Sequence, residues 1–295
     1  MSKIPESRVV AGHADFQILD KISKGIEETI AVNLADAVAH LTVSAFEFVL
    51  DPISTGRTSI IELDNVEKTF VGLKVEHFIR DLLNAPKGLR DLVIGGIDVD
   101  VKHTLSRNWS WMIPPETIRD EGACLIIASS ETQRKSWMGL IMARMPYLGS
   151  PNRDGKCSIL SSAYENILWL VEGVSWPNDK WSGLDMSRFR QLRKTKGSGA
   201  KRAAAFFREN IGRAIHRDVA CALLHDQKDP MKRLRGNKGA KDILRPEGIA
   251  LMSGTYFNGV LKNLELPIIG ADEFIAVQPR TAYELEILRS AGELP

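Results

Sequence analysis

No apolar run in this chain approaches the ~20 residues that a bilayer-spanning helix needs. The opening MSKIPESRVVAGHADFQ lacks the apolar core of a secretory signal. Cysteine is scarce: Cys124, Cys157 and Cys221 are scattered and odd in number, with no Cys-x-x-Cys pair. That argues against a disulfide framework and against a zinc site, and fits a reducing cytoplasm. There is no internal repeat and no low-complexity tract. What remains is an ordinary globular composition, 44% hydrophobic and 26% charged, with 295 residues, enough for two domains.

Net charge is also nearly absent, at +2, but the balance is uneven. Residues 1–157 carry 18 Lys and Arg against 21 Asp and Glu, and residues 158–295 carry 21 against 16. Within 188–245 the ratio is 17 to 5. A basic block with apolar and aromatic residues interleaved points to an anionic partner, nucleic acid first among them. The alternative is a lysine-rich solvated surface.

Apolar spacings of three and four predict helices over FQILDKISKGIEETIAVNL and ADAVAHLTVSAFEFVL, then a loop at DPISTGR. DNVEKTFVGLKVEHFIRDLLN returns to helical periodicity, with Asp64 or Asn65 as N-cap and a stop before APKG. LRDLVIG, IDVDVKHT, CLIIASS and SWMGLIMARM read as strands. Helices followed by strands predict an α/β or α+β layer domain. LGSPNRDGKCS, dense in turn formers, is the expected boundary, giving domains 1–157 and 158–295, the second mainly helical.

In IDVDVKHT, Asp98, Asp100 and Lys102 fall on one strand face and Ile97, Val99 and Val101 on the other. A solvated strand face would look the same. Phosphodiester hydrolysis, however, needs a cation on the phosphate, an activated water and a stabilised leaving group. Carboxylates holding Mg²⁺ supply these, and a neighbouring lysine positions or deprotonates the water. Asp100 and Lys102 would set a ligand beside an ammonium. Asp91, nine residues upstream of Asp100 across LVIGG, would come back on a paired strand as the second carboxylate. Glu76 aligns with Leu73, Ile79 and Leu83 on the expected core stripe of its helix, where a carboxylate is costly without a partner. Gly72 would allow close packing there. His103, on the opposite strand face from Lys102, and Trp109 and Trp111 beside IPPE read as packing residues.

This arrangement resembles the PD-(D/E)xK nucleases. More specifically, DVDVKHTLSRNWSWMIPPE, CLIIASS, YLGSPNRDGK, VLDPISTGR and DPMKRLRGNKGAKDILRPEGI resemble the NaeI-type (type IIE) restriction endonucleases over roughly residues 45 to 255. The resemblance implies an α/β (α+β) PD-(D/E)xK nuclease domain followed by a mainly helical, winged-helix-like DNA-binding domain. It implies catalytic Glu76, Asp91, Asp100 and Lys102, with Glu76, Asp91 and Asp100 as Mg²⁺ ligands. It also implies a homodimer engaging two copies of double-stranded DNA, one cleaved and one activating, with a companion methyltransferase possible. Arg90 stands where the superfamily name has proline, and Asp98 receives no role.

In the basic half, VACALLH, DPMKRLR and GAKDILRPEGI read as short helices and IALMSGTYF as a strand, the succession of a helix-turn-helix with a wing. Lys232, Arg233, Arg235, Lys238 and Lys241 are the candidate DNA contacts. Two rival readings are a non-catalytic DNA-binding regulator and a nicking or genome-defence nuclease without a methyltransferase.

Overall fold

The N-terminal periodicity produces α1 (Phe16–Thr29) and α2 (Leu34–Leu50), which bury Leu19, Ile22 and Ile26 on one and Val38, Ala45 and Phe46 on the other. A four-residue helix, α3 (Pro52–Thr55), interrupts the expected loop. Then α4 (Asn65–Leu82) starts at an Asp64 capping box: Asp64 accepts from the Glu67 N–H at 2.8 Å and Glu67 from the Asp64 N–H at 3.0 Å. The computed structural model describes residues 4–105 and 108–295, so Ser106 and Arg107 of the LSRNW stretch lie outside the described residues. No single helix among them is long and apolar enough to cross a membrane.

Strands follow: β1 (Leu92–Ile94), β2 (Ile97–Thr104), β3 (Met112–Ile113), the short α5 (Pro115–Arg119), β4 (Ala123–Ser130), β5 (Lys135–Met142), β6 (Cys157–Ser158) and β7 (Leu168–Ser175). Five of them form one sheet in the order β1-β2-β4-β5-β7, parallel between β2 and β4 and antiparallel elsewhere. Period-two alternation splits its core in two. Val99, Val101, Leu125, Ile127 and Leu140 pack with α1, α2 and α4 residues, while Cys124, Ile126, Ala128 and Ile141 pack with Trp109, Trp111 and Ile113.

The chain divides into two units, one running up to Leu50 together with Ser59–Pro177, the other Asp51–Thr58 with Asn178–Pro295. The division after residue 177 falls twenty residues beyond the expected one. The turn formers of 148–158 reverse the chain inside the first unit: Asn152 accepts from the Asp154 and Lys156 N–H groups at 2.9 Å, and β6 then pairs with β3. Beyond them β7 completes the large sheet.

The second unit contains α6 (Met186–Lys194), α7 (Gly199–Glu209), β8 (Ala214–His216), α8 (Arg217–Leu223), α9 (Ala240–Leu244), β9 (Ala250–Ser253), α10 (Gly254–Asn263), β10 (Glu273–Val277) and α11 (Ala282–Ser290). Its three strands form an antiparallel sheet in the order β8-β10-β9. Two expectations change here. DPMKRLR yields only a three-ten turn, Met231–Arg233: Asp229 accepts from the Lys232 N–H at 3.0 Å at its start, and the left-handed Asn237 and Lys238 turn the chain before α9. IALMSGTYF is a strand only to Ser253. There Gly254, whose missing Cβ would lie 2.0 Å from the Gly270 carbonyl oxygen, opens α10 instead.

Candidate active site

Gly95 and Gly96 join β1 to β2 with φ of +58° and +76°, both left-handed, as a two-residue type I′ hairpin requires. The register pairs Leu92 with Val99, Val93 with Asp98 and Ile94 with Ile97, so one step outward Asp91 stands opposite Asp100. Because β1 ends at Leu92, the β2 edge beyond Val99 lacks a strand neighbour on that side. Asp91 fills the gap, its Oδ2 accepting from the Val101 N–H at 2.7 Å.

Lys102 draws the two aspartates together. Its Nζ donates to Asp100 Oδ1, donates to the Val101 carbonyl at 3.0 Å and lies 3.7 Å from Asp91 Oδ2. Asp100 is only 3% exposed, and its Oδ2 accepts from the Thr117 hydroxyl of α5 at 3.2 Å. Glu76, half-buried on α4, turns its carboxyl to that of Asp91. The structure thus brings all four sequence-predicted residues together.

Their protonation follows from this crowding. Burial raises the Asp100 carboxyl to about 6 in spite of the Lys102 ammonium. Burial, and after it the Asp91 charge, raises Glu76 to about 6. Burial pulls Lys102 down, but Asp100 and Asp91 outweigh it and hold the ammonium above its ordinary value. Lys102 is therefore a fixed cation and hydrogen-bond donor, not a ready base. Cys124, fully buried next to Asp100 on β4, is pushed well up by burial and stays a neutral thiol.

Among the described residues no three His, Cys, Asp or Glu side chains form a ready-made metal cage. Mg²⁺ does not ask for one: it takes one or two carboxylates and completes its shell with waters and substrate phosphate. The all-oxygen pair Asp91 and Asp100, with Glu76 alongside, fits such a hard cation.

Details differ from expectation. The buried stripe of α4 is Val71, Val75 and Ile79, while Leu73 is 39% exposed, so Glu76 borders the core. Gly72 is not a tight contact, since a Cβ there would come no closer than 3.9 Å to His103. His103 packs edge-on to Phe46, meets Ser129 Oγ at 3.0 Å, and is lowered to about 3 by burial. Trp109 and Trp111 are 7% and 0% exposed in a cluster with Tyr164. Sequence reasoning missed Thr117, which lies 17 residues from Asp100 with no motif to tie it there. It also left Asp98 without a function: Arg90 binds it through Nη1 at 2.7 Å and through its backbone N–H at 3.2 Å.

In the second unit much of the positive charge is engaged internally. Arg188 pairs with Glu209, Arg202 with Asp226, Arg208 with Glu247 and Lys241 with Glu293, and Arg193 donates to two carbonyls. Lys241, expected to touch DNA, thus has its ammonium occupied. Lys232, Arg233, Arg235 and Lys238 are on the turn between α8 and α9. That turn is held tight at Gly239, whose absent Cβ would sit 1.9 Å from the Arg235 carbonyl oxygen.

Clustered carboxylates with a fixed ammonium, and a basic surface elsewhere on the chain, are the equipment of a DNA endonuclease. A family model described as restriction endonuclease NaeI matches residues 34–284, and the chain belongs to that family. The type II restriction enzyme NaeI of Lentzea aerocolonigenes is 31% identical to it over 258 residues, 84% of this chain and 80% of that enzyme.

Proposed function

We propose that this restriction endonuclease makes Mg²⁺-dependent double-strand cuts at a short palindromic DNA site. The first unit would be a PD-(D/E)xK nuclease and the second a winged-helix-like DNA-binding domain. The observation that carries the catalytic reading is the opposition of Asp91 and Asp100 across the hairpin, with Lys102 reaching both. Asp91 and Asp100 would hold Mg²⁺, and Glu76 would complete or orient the site. When bound, the ion supplies charge neutralisation on the phosphate and acidifies a water. Lys102 aligns the attacking water and offsets the charge of the transition state through its ammonium. Thr117 holds Asp100 in its rotamer. Attack in line on phosphorus leaves a 5′-phosphate.

For the second unit, the order α7-β8-α8-α9-β9-β10 with sheet order β8-β10-β9 supports the winged-helix reading, α10 standing where a wing loop would run. Lys232, Arg233, Arg235 and Lys238 would meet DNA, with Lys241 bracing the fold from behind. A homodimer gives each strand of a palindrome its own active site. Binding of a second DNA copy, and protection of the host by a companion methyltransferase, belong to the same reading.

The test is plasmid digestion with and without Mg²⁺, wild type beside Asp100→Ala, with the cut ends sequenced. Discrete Mg²⁺-dependent fragments that vanish in the variant are expected. Equal cutting by both proteins would overturn the site assignment.

A further inference from the structure

Arg90 makes three contacts that converge on the candidate metal ligands without touching them. Its backbone N–H and Nη1 both bind Asp98, which the hairpin register places opposite Val93, so Arg90 reaches diagonally over the strand pair that carries Asp91 and Asp100. Its Nη2 binds Asp120 Oδ2 at 2.7 Å. Asp120 caps the C-terminus of α5, the helix whose Thr117 donates to Asp100. The guanidinium also lies against Gly122, where a Cβ would approach Cζ to 3.1 Å. One side chain therefore closes a ring of supports: Asp91, its neighbour Arg90, Asp120, α5, Thr117 and Asp100. The Arg90 and Asp98 side chains are only 16% and 21% exposed, so the hairpin arm of this bridge is shielded from solvent, while the Asp120 arm lies at the surface and is the weaker of the two.

We infer that Arg90 is a positioning residue that fixes Asp91 and Asp100 at the separation a divalent cation needs, using Asp98 and Asp120 as its two anchors. The inference rests on the metal-site reading above. Lysine cannot replace it, because a single ammonium lacks the planar fork that reaches two carboxylates in two directions. Residues that orient ligands in this way change metal affinity about 10- to 100-fold when altered.

The test is calorimetric titration of the whole protein with Mn²⁺ in the absence of DNA, for wild type, Arg90→Lys, Asp120→Asn and Asp100→Ala. Each is also melted in metal-free buffer. Asp120, 60% exposed, keeps the hairpin contact intact when altered and guards against a variant that merely unfolds. We expect Arg90→Lys to weaken Mn²⁺ binding at least tenfold and Asp120→Asn by a smaller factor. A purely structural residue would lower the melting temperature and leave the Mn²⁺ affinity of the folded protein where it was. Wild-type affinity in Arg90→Lys, with affinity lost in Asp100→Ala, overturns the positioning role alone. Equal Mn²⁺ uptake by wild type and Asp100→Ala overturns the ligand assignment, and the role of Arg90 with it.

Discussion

Asp100 has the least freedom of the four clustered residues: buried, bonded to Lys102 and to Thr117. Asp100→Ala should therefore abolish cleavage while leaving DNA binding intact, as gel shift beside digestion will show. A pH dependence follows from Asp100 and Glu76, both raised to about 6. Between the ordinary carboxylate range and pH 6 the folded state holds protons that the unfolded chain has released, so metal-free stability falls as pH rises across that window. A bound cation favours the deprotonated forms. Thermal stabilisation by Mg²⁺ should be small at pH 5 and grow through pH 6 to a plateau above 7; a flat response would remove these carboxyls from the site. The alternation of charge in IDVDVKHT made Asp100 and Lys102 legible in the sequence, since period two follows from any strand. Asp98 was not, because its meaning depends on Arg90 across the hairpin. The α4 stripe was misread for a related reason: rows beginning at Val71 and at Leu73 both meet at Ile79, and periodicity alone does not choose between them.

At the scale of elements, the candidate active site depends on a turn of two glycines. A side chain at Gly95 would be left-handed and would meet the Lys21 carbonyl oxygen at 3.1 Å, whereas Gly96 faces open space. Gly95→Val should cost about 1–3 kcal/mol and shift Asp91 against Asp100, slowing cleavage beyond its effect on stability. Gly96→Asn should be nearly silent, as asparagine tolerates this conformation. Urea unfolding and initial cleavage rates of the two variants will separate these outcomes. The helices were readable because each buries one face, and the central strands β4 and β5 because a short, nearly unbroken apolar run suits a strand buried on both. By contrast β7 escaped notice: LWLVEGVS follows a turn-rich stretch that looked like a boundary, and only its pairing with β5 gives it a place. The strand-to-helix switch at Gly254 was equally hidden, since it depends on a backbone 16 residues away.

Across the molecule, the basic block overstated the free charge, because ion pairs that hold the second unit together consume part of it. Neutralising Lys232, Arg233 and Arg235 together should weaken DNA binding and flatten its salt dependence, by about 0.9 in log–log slope for each phosphate left without its cation. Binding isotherms at several salt concentrations measure both. The other feature at this scale is the excursion of Asp51–Thr58 into the second unit. Arg193, 8% exposed, donates to the carbonyls of Ser54 and Ala222 and abuts Gly56, a left-handed residue whose Cβ would lie 2.9 Å from Arg193 Nε. Arg193→Ala leaves those acceptors unpaired and should cost about 1–3 kcal/mol, visible in urea unfolding.

That excursion also bears on how such a chain can evolve. A gene spliced at a single point near codon 178 would hand over the second unit without α3 and leave an orphaned strap in the donor of the first unit. Exchanging second units between relatives therefore takes two coordinated crossovers, or a strap and an α8 surface that already match.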